Sequence, residues 1–199
     1  PTLICRTFME RWIMSHSVNT SKVKPGAYFD SGAQQLLFQV YSKNAQRIEL
    51  WIFDKPHSSS LLKKFTLTKN DASIWSASFK LSSSGLPAKT EVIYYGYRVW
   101  GANWVFDPKW KPGDMAGFII DCDNDGNRFN PNKLLIDPWA REISHDPAPR
   151  LSTIDPNEYS HQYYSGENDR SIVTAPFAPK SMLVVVTENQ STGIKPKRH

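Results

Sequence analysis

Ile93-Tyr94-Tyr95-Gly96-Tyr97-Arg98-Val99-Trp100-Gly101 is the run that decides the fold. Ile93, Tyr95, Tyr97 and Val99 alternate with Tyr94, Gly96, Arg98 and Trp100. A period of two sends alternate side chains to opposite faces of an extended strand. The run closes in a glycine-containing turn that carries a second tryptophan, Trp104.

The same texture extends to both sides. Ile48, Leu50 and Ile52 alternate with Glu49, Trp51 and Phe53; Trp75, Ala77 and Phe79 alternate with Ser76, Ser78 and Lys80. Leu36–Tyr41 alternates weakly, and Leu61–Thr68 reads as another strand. Turn signals separate the runs at Lys55-Pro56, Asn70-Asp71 and Ser84-Gly85, the last with Pro87 close behind. Several short strands with no long helical pattern predict an all-β, antiparallel β-sandwich.

Three regions follow from the changes in composition. Residues 1–24 read as an N-terminal extension and 25–148 as the sandwich domain. Residues 149–199 read as an extended C-terminal linker, rich in Pro, Asn, Ser and Tyr, with one further strand at Met182–Thr187.

The 199 residues are 40% hydrophobic and 13% aromatic, enough to bury one core. The net charge of +5 is dispersed, its densest spot being Lys195, Lys197 and Arg198. No basic stripe accompanies a nucleic-acid motif, so no nucleic-acid partner is expected. No apolar run reaches the roughly 18 residues of a membrane helix, and none is expected. Arg6, Glu10 and Arg11 interrupt any signal-peptide core. Cys5 and Cys122 are too few for a disulfide framework, so secreted and cytoplasmic locations both stay open.

Four groups of residues bear on chemistry. Asp121-Cys122-Asp123-Asn124-Asp125-Gly126 imitates the start of an EF-hand loop, but the twelfth position is Asn132 and neither flank is helical. A solvated acidic turn is the expectation. Trp100, Trp104, Phe106 and Trp110, interspersed with Asn103, Lys109 and Lys111, are either sugar-stacking rings or packing for a neighbouring element. Carboxylates at Asp107, Asp114, Asp137, Glu142, Asp146 and Asp155 lie on loops, without a spacing that singles out a glycosidase pair. His16, His57, His145, His161 and His199 are scattered and read as surface residues.

Two runs in the middle of the chain resemble isoamylase-type glycogen and starch debranching enzymes of glycoside hydrolase family 13. They are Tyr95-Gly96-Tyr97-Arg98-Val99-Trp100-Gly101 and Gly126-Asn127-Arg128-Phe129-Asn130-Pro131-Asn132-Lys133-Leu134-Leu135-Ile136-Asp137-Pro138-Trp139-Ala140-Arg141. Ala175–Lys180 and Ser191–Pro196 are similar to two later stretches of the same family, in the same order. Trp139 stands where that family usually has Tyr.

The resemblance implies an N-terminal carbohydrate-binding module of family 48 with an immunoglobulin-like, early-set sandwich. It implies a catalytic barrel after Lys195-Pro196 as partner, and α-glucan, glycogen or amylopectin, as the parent's substrate. The catalytic acids would lie in that barrel, so no catalytic residue is expected in this chain, and whether it is an enzyme stays open. Asp146, in Ile143-Ser144-His145-Asp146-Pro147, resembles a Ca²⁺ ligand of secreted bacterial isoamylases, in a site completed by the barrel. The chain alone is expected to hold no cofactor. Trp104 and Trp110, on loops beside Gly and Pro, are the expected carbohydrate-binding residues. A free-standing glucan-binding module is the alternative.

Overall fold

The computed structural model describes residues 25–58, 60–83, 85–87, 90–145 and 170–185. These form two antiparallel sheets and no α-helix. The first sheet runs β1 (Gly26–Asp30), β2 (Gln35–Tyr41), β6 (Ile74–Lys80), β5 (Thr68–Lys69). The second runs β4 (Leu61–Thr66), β3 (Arg47–Phe53), β7 (Val92–Trp100), β9 (Ser181–Val184), β8 (Glu142–Ile143). The all-β sandwich expected from the alternating runs is the fold observed.

The core between the sheets is built by one side of each alternation. Leu36, Phe38 and Val40 of β2 meet Ile48, Leu50 and Ile52 of β3 and Ile93, Tyr95, Tyr97 and Val99 of β7. Phe38 lies edge-on to Tyr95 at 5.0 Å, and Phe65 stacks on Phe79 at 3.8 Å. Such aromatic pairs add about 1 kcal/mol each beyond the area they bury.

The other side of β3 and β7 is buried too. Trp51, Phe53 and Trp100 form a second cluster with Trp104, Trp110, Leu134, Ala175 and Ala178. An antiparallel sheet commonly leaves one face wet. Here the irregular segments around 101–137 and 170–180 cover it.

That covering corrects the expected domain boundary. Residues 170–185 are packed onto the sandwich rather than strung out as a linker. β9 pairs with β7 in the register Val92↔Val184 to Tyr95↔Ser181, and β8 pairs with β9. Prolines and polar residues suggested an extended tether; the apolar Val173, Ala175, Ala178 and Met182 needed a surface to bury against and found β7's. The strand begins at Ser181 and its described extent ends at Val184, whereas Met182–Thr187 was expected. Strands β1 and β8 were not foreseen, being five and two residues long.

Candidate functional site

The two family-like runs are two halves of one contact. Tyr97 N–H donates to the Leu135 carbonyl at 2.8 Å, and Leu135 N–H to the Tyr97 carbonyl at 2.9 Å. A β-carbon on Gly96 would stand 2.8 Å from Leu134 Cγ and 3.0 Å from the Leu135 carbonyl oxygen. One on Gly101 would stand 2.0 Å from the Phe129 ring. Both glycines are there because the 126–138 loop lies directly on the strand, closer than any side chain allows.

Asparagines fix that loop from within. Asn103 donates Nδ2 to the carbonyls of Ile120 and Phe129 and accepts the Phe129 N–H at 2.9 Å. Asn132 accepts from Gly113 N–H at 2.8 Å and donates to the Asp114 and Arg170 carbonyls, both at 3.0 Å. Buried backbone groups outside a sheet need such partners, each worth about 1 kcal/mol net.

Buried cations perform the same task. Arg98 is fully enclosed and donates Nη1 to the Pro131 carbonyl. Its Nε and Nη2 make no hydrogen bond among the described residues; the guanidinium instead lies 4.2 Å over Trp51 and 5.6 Å from Trp110. Burial pulls its pKa down to about 10, partly offset by Glu49, its cross-strand neighbour, so it stays charged at neutral pH. Glu49 is itself buried, accepting from Arg47 Nη2 at 2.8 Å and Trp51 Nε1 at 3.0 Å. Lys180 is also enclosed. It donates to the Ala175 and Ala178 carbonyls, and burial, with Arg98 nearby, lowers its pKa to about 8. Lys133 donates to the Ile172 carbonyl at 3.1 Å. Three cations thus fasten irregular backbone onto the sheet.

Asp137 completes the arrangement. It accepts from Tyr95 Oη at 2.9 Å and from Trp139 N–H at 2.8 Å, and its own N–H donates to Ser181 Oγ at 2.7 Å. Burial raises its pKa above the ordinary carboxylate value, against the hydrogen bonds that lower it. Burial and the Asp137 charge hold the Tyr95 and Tyr97 phenols well above their ordinary range. The pair of tyrosines and the Asp-Pro turn are one structural lock.

The expected sugar contacts do not survive this geometry. Trp104 is 1% and Trp110 9% exposed, so neither ring is open to a ligand. Trp104 donates Nε1 to the Ala116 carbonyl at 2.9 Å and lies edge-on to Phe118. Trp110 lies edge-on to Trp100 at 5.2 Å. Glycine and proline neighbours suggested exposed loop tips, but the loop folds back over the outer face of β3–β7, and its large rings bury the sheet.

The acidic turn satisfies itself. Asp123 accepts from the Asp125 and Asn127 backbone N–H groups and from Asn127 Nδ2, which lowers its pKa. Arg170 pairs with Asp121 and holds its carboxyl below the ordinary value. Asp107 and Asp114 accept from the N–H groups of Lys109 and Lys111. No cluster of three or more metal-ligating side chains occurs among the described residues. Asp146 and Asp155 lie outside those residues. His145, next to Asp146, has its ring nitrogens engaged by Ser144 Oγ at 2.8 Å and the Phe177 carbonyl at 3.2 Å. Its ring lies 3.9 Å from that of His57, tilted by 31°.

Among the described residues a trough of about 650 Å³ lies where β1 of one sheet faces β8 and β9 of the other. Tyr28, Trp139, Arg141 and Glu142 form its polar and aromatic rim, with Tyr95 and Met182 among its apolar walls. Trp139 is 44% exposed. Sequence reading noted Trp139 and Glu142 but assigned neither to a site. The available signal was a large ring directly after the turn Asp137-Pro138, where the Trp139 N–H is held by Asp137.

No family model matches the chain. The isoamylase of Pseudomonas amyloderamosa is 38% identical over 174 residues, covering 87% of this chain and 22% of that protein. The isoamylase of a Flavobacterium species is 46% identical over 124 residues, 61% of this chain and 16% of that one. The glycogen debranching enzyme of Cronobacter sakazakii is 31% identical over 122 residues, 61% of this chain and 14% of that one. Among solved structures, the Group B Streptococcus pullulanase SAP aligns with a TM-score of 0.42 and 16% identity, over 68% of this chain and 14% of that chain. The chain spans 22% of the length of the Pseudomonas relative it matches over most of its own residues. By sequence the chain is similar to a part of isoamylases, consistent with an N-terminal region of a debranching enzyme of glycoside hydrolase family 13.

Proposed function

We propose that the chain is the non-catalytic N-terminal module, of carbohydrate-binding family 48 type, of an isoamylase-type enzyme that cleaves α-1,6 branches in glycogen or amylopectin. One observation carries this reading. The residues that form the family-like runs, Gly96, Arg98, Gly101, Asn132 and Asp137, all hold the sandwich and its covering loops together. The described carboxylates are likewise engaged in turns, ion pairs or the tyrosine lock, apart from those at the surface. Cleavage of a glycosidic bond needs two carboxyls about 5–10 Å apart across an open site. Catalysis therefore belongs to a barrel in the parent enzyme, for which this module is a partner.

Exposed apolar side chains support a docked neighbour. Ile119 is 62%, Ile120 49%, Leu135 45% and Ile136 42% exposed, the first two adjacent in sequence and the last two likewise. Asp146 is proposed as one ligand of a Ca²⁺ site shared with that barrel. The neighbouring His145 is not available as a second ligand, and Ca²⁺ requires 6–8 oxygens, so the module alone does not supply the site. The test is to assay the purified chain on branched glucan and to add the barrel region of the isoamylase relative separately. No release of linear chains by the module, with physical association or activation on mixing, is the expected result. Sustained α-1,6 cleavage by the chain alone would overturn the reading.

A further inference from the structure

We infer that the trough between β1 and β8–β9 is a binding subsite for a short α-linked glucose oligomer. The choice of linkage rests on the module reading above; the site itself rests on the geometry of the trough. Its volume of about 650 Å³ falls within the range of small-molecule sites.

The rim is built for a neutral, hydroxylated, ring-shaped ligand. Trp139 stands at its edge with its backbone held twice. Its N–H donates to Asp137 at 2.8 Å, and its Cβ packs against Gly26, where an added β-carbon would stand 3.4 Å away. An indole left 44% exposed on so fixed a backbone is pre-organised for stacking, and pre-organisation lowers the cost of binding. The indole N–H makes no hydrogen bond, and Arg141 and Glu142 form no salt bridge, among the described residues. Arg141 rests 6.0 Å over the Tyr28 ring instead. The trough is thus edged by free donors and a free acceptor. A pyranose ring presents an apolar C–H face and a rim of hydroxyls, which matches an aromatic face bordered by both kinds of group. One cation beside one anion favours neither phosphate nor metal ion.

Trp139, Arg141 and Glu142 all come from the segment after Asp137, so the tyrosine lock sets the geometry of the trough as well as the core. This site differs from the buried pair Trp104 and Trp110, which no ligand reaches.

The experiment is a titration of the 199-residue chain with maltohexaose, followed by shifts of the tryptophan indole N–H resonances in two-dimensional NMR, in parallel with Trp139→Ala and Arg141→Ala. Saturable binding in the millimolar range is expected, with the Trp139 resonance moving most. Trp139→Ala should weaken binding about tenfold, the factor that loss of one aromatic contact brings, with its thermal midpoint unchanged. Absence of saturable binding by the parent chain, or undiminished binding by Trp139→Ala, would overturn the inference. So would a Trp139→Ala variant that binds maltohexaose normally but no longer associates with the isoamylase barrel, since the trough would then be a docking surface. Failure of the module reading shows separately, as cleavage of branched glucan.

Discussion

Replacing Gly101 with alanine tests whether the two family-like runs are mechanically coupled. Gly101 lies outside the left-handed region, so alanine suits its backbone and only the clash matters. The new methyl would sit 2.0 Å from Phe129 Cδ2 and 2.2 Å from Cε2. The ring cannot retreat by moving the loop, because Asn103 holds both the N–H and the carbonyl of Phe129 at 2.9 Å. Relief needs either an expelled ring or two broken hydrogen bonds. Overpacking of this kind costs 1–3 kcal/mol, so about 3 kcal/mol is expected at this upper limit. In a chain of this size that lowers Tm by about 9 °C. Phe129→Ala removes a half-buried ring and should cost about 2 kcal/mol, less than the fully buried case. In the double variant the alanine methyl enters the vacated space, so the pair should cost about 2 kcal/mol rather than about 5 kcal/mol. Urea unfolding followed by tryptophan fluorescence, with m checked for constancy, measures all four corners of the cycle. Costs that add to within about 0.5 kcal/mol would refute the coupling.

Three further outcomes are expected. Trp104→Ala should destabilise the fold by about 4 kcal/mol, while Trp139→Ala changes stability by less than about 0.5 kcal/mol, both read from thermal unfolding. Asp137→Ala strands the Tyr95 hydroxyl and the Trp139 N–H and should cost about 3 kcal/mol; Asp137→Asn, which keeps one acceptor, should cost about 1 kcal/mol in the same assay. Stability should also depend on pH on the alkaline side. Lys180 has a folded pKa of about 8 against 10.5 unfolded, so the unfolded chain binds more protons between these values and stability rises with pH there. The gain is about 2 kcal/mol by pH 10, where unfolded tyrosines begin to ionise while Tyr95 and Tyr97 do not, so stability falls again at higher pH. Chemical denaturation from pH 7 to 11 should show this maximum, and Lys180→Met should flatten the rise.

Much of the sandwich was legible because alternation is a local property. Ile48, Leu50 and Ile52, and Ile93 to Val99, take their positions from a period of two that no distant residue has to confirm. Strand β9 was foreseen as a strand, but not its place beside β7. Pairing across nearly ninety residues leaves no mark in either segment alone. The outer-face cluster was hidden for a related reason. Trp104 and Trp110 carry the composition of a sugar platform, and burial is decided by the covering segment, not by their neighbours in sequence. The burial of Arg98 and Lys180 was hidden for the same cause. Their partners are backbone carbonyls at Pro131, Ala175 and Ala178, which have no sequence signature. The trough was illegible because its walls meet only when the two sheets close on each other.

Burial of both faces of β3 and β7 leaves the second sheet its loops and its edge strands for contact with anything else. The two edges are not alike. On one side β4 exposes Leu62, Lys63 and Lys64, and both residues of β5, Thr68 and Lys69, face solvent. Lysines along an edge oppose strand pairing and offer no concavity. On the other side β1 and β8 stand apart around the trough, with Trp139, Arg141 and Glu142 at its rim. The tyrosines that fill the inner core also fix the Asp137 turn that presents Trp139. Stability and recognition are therefore joined at one residue. Loss of the Asp137 carboxylate should loosen the core and misplace the indole together, whereas loss of the indole should weaken recognition and leave the core intact.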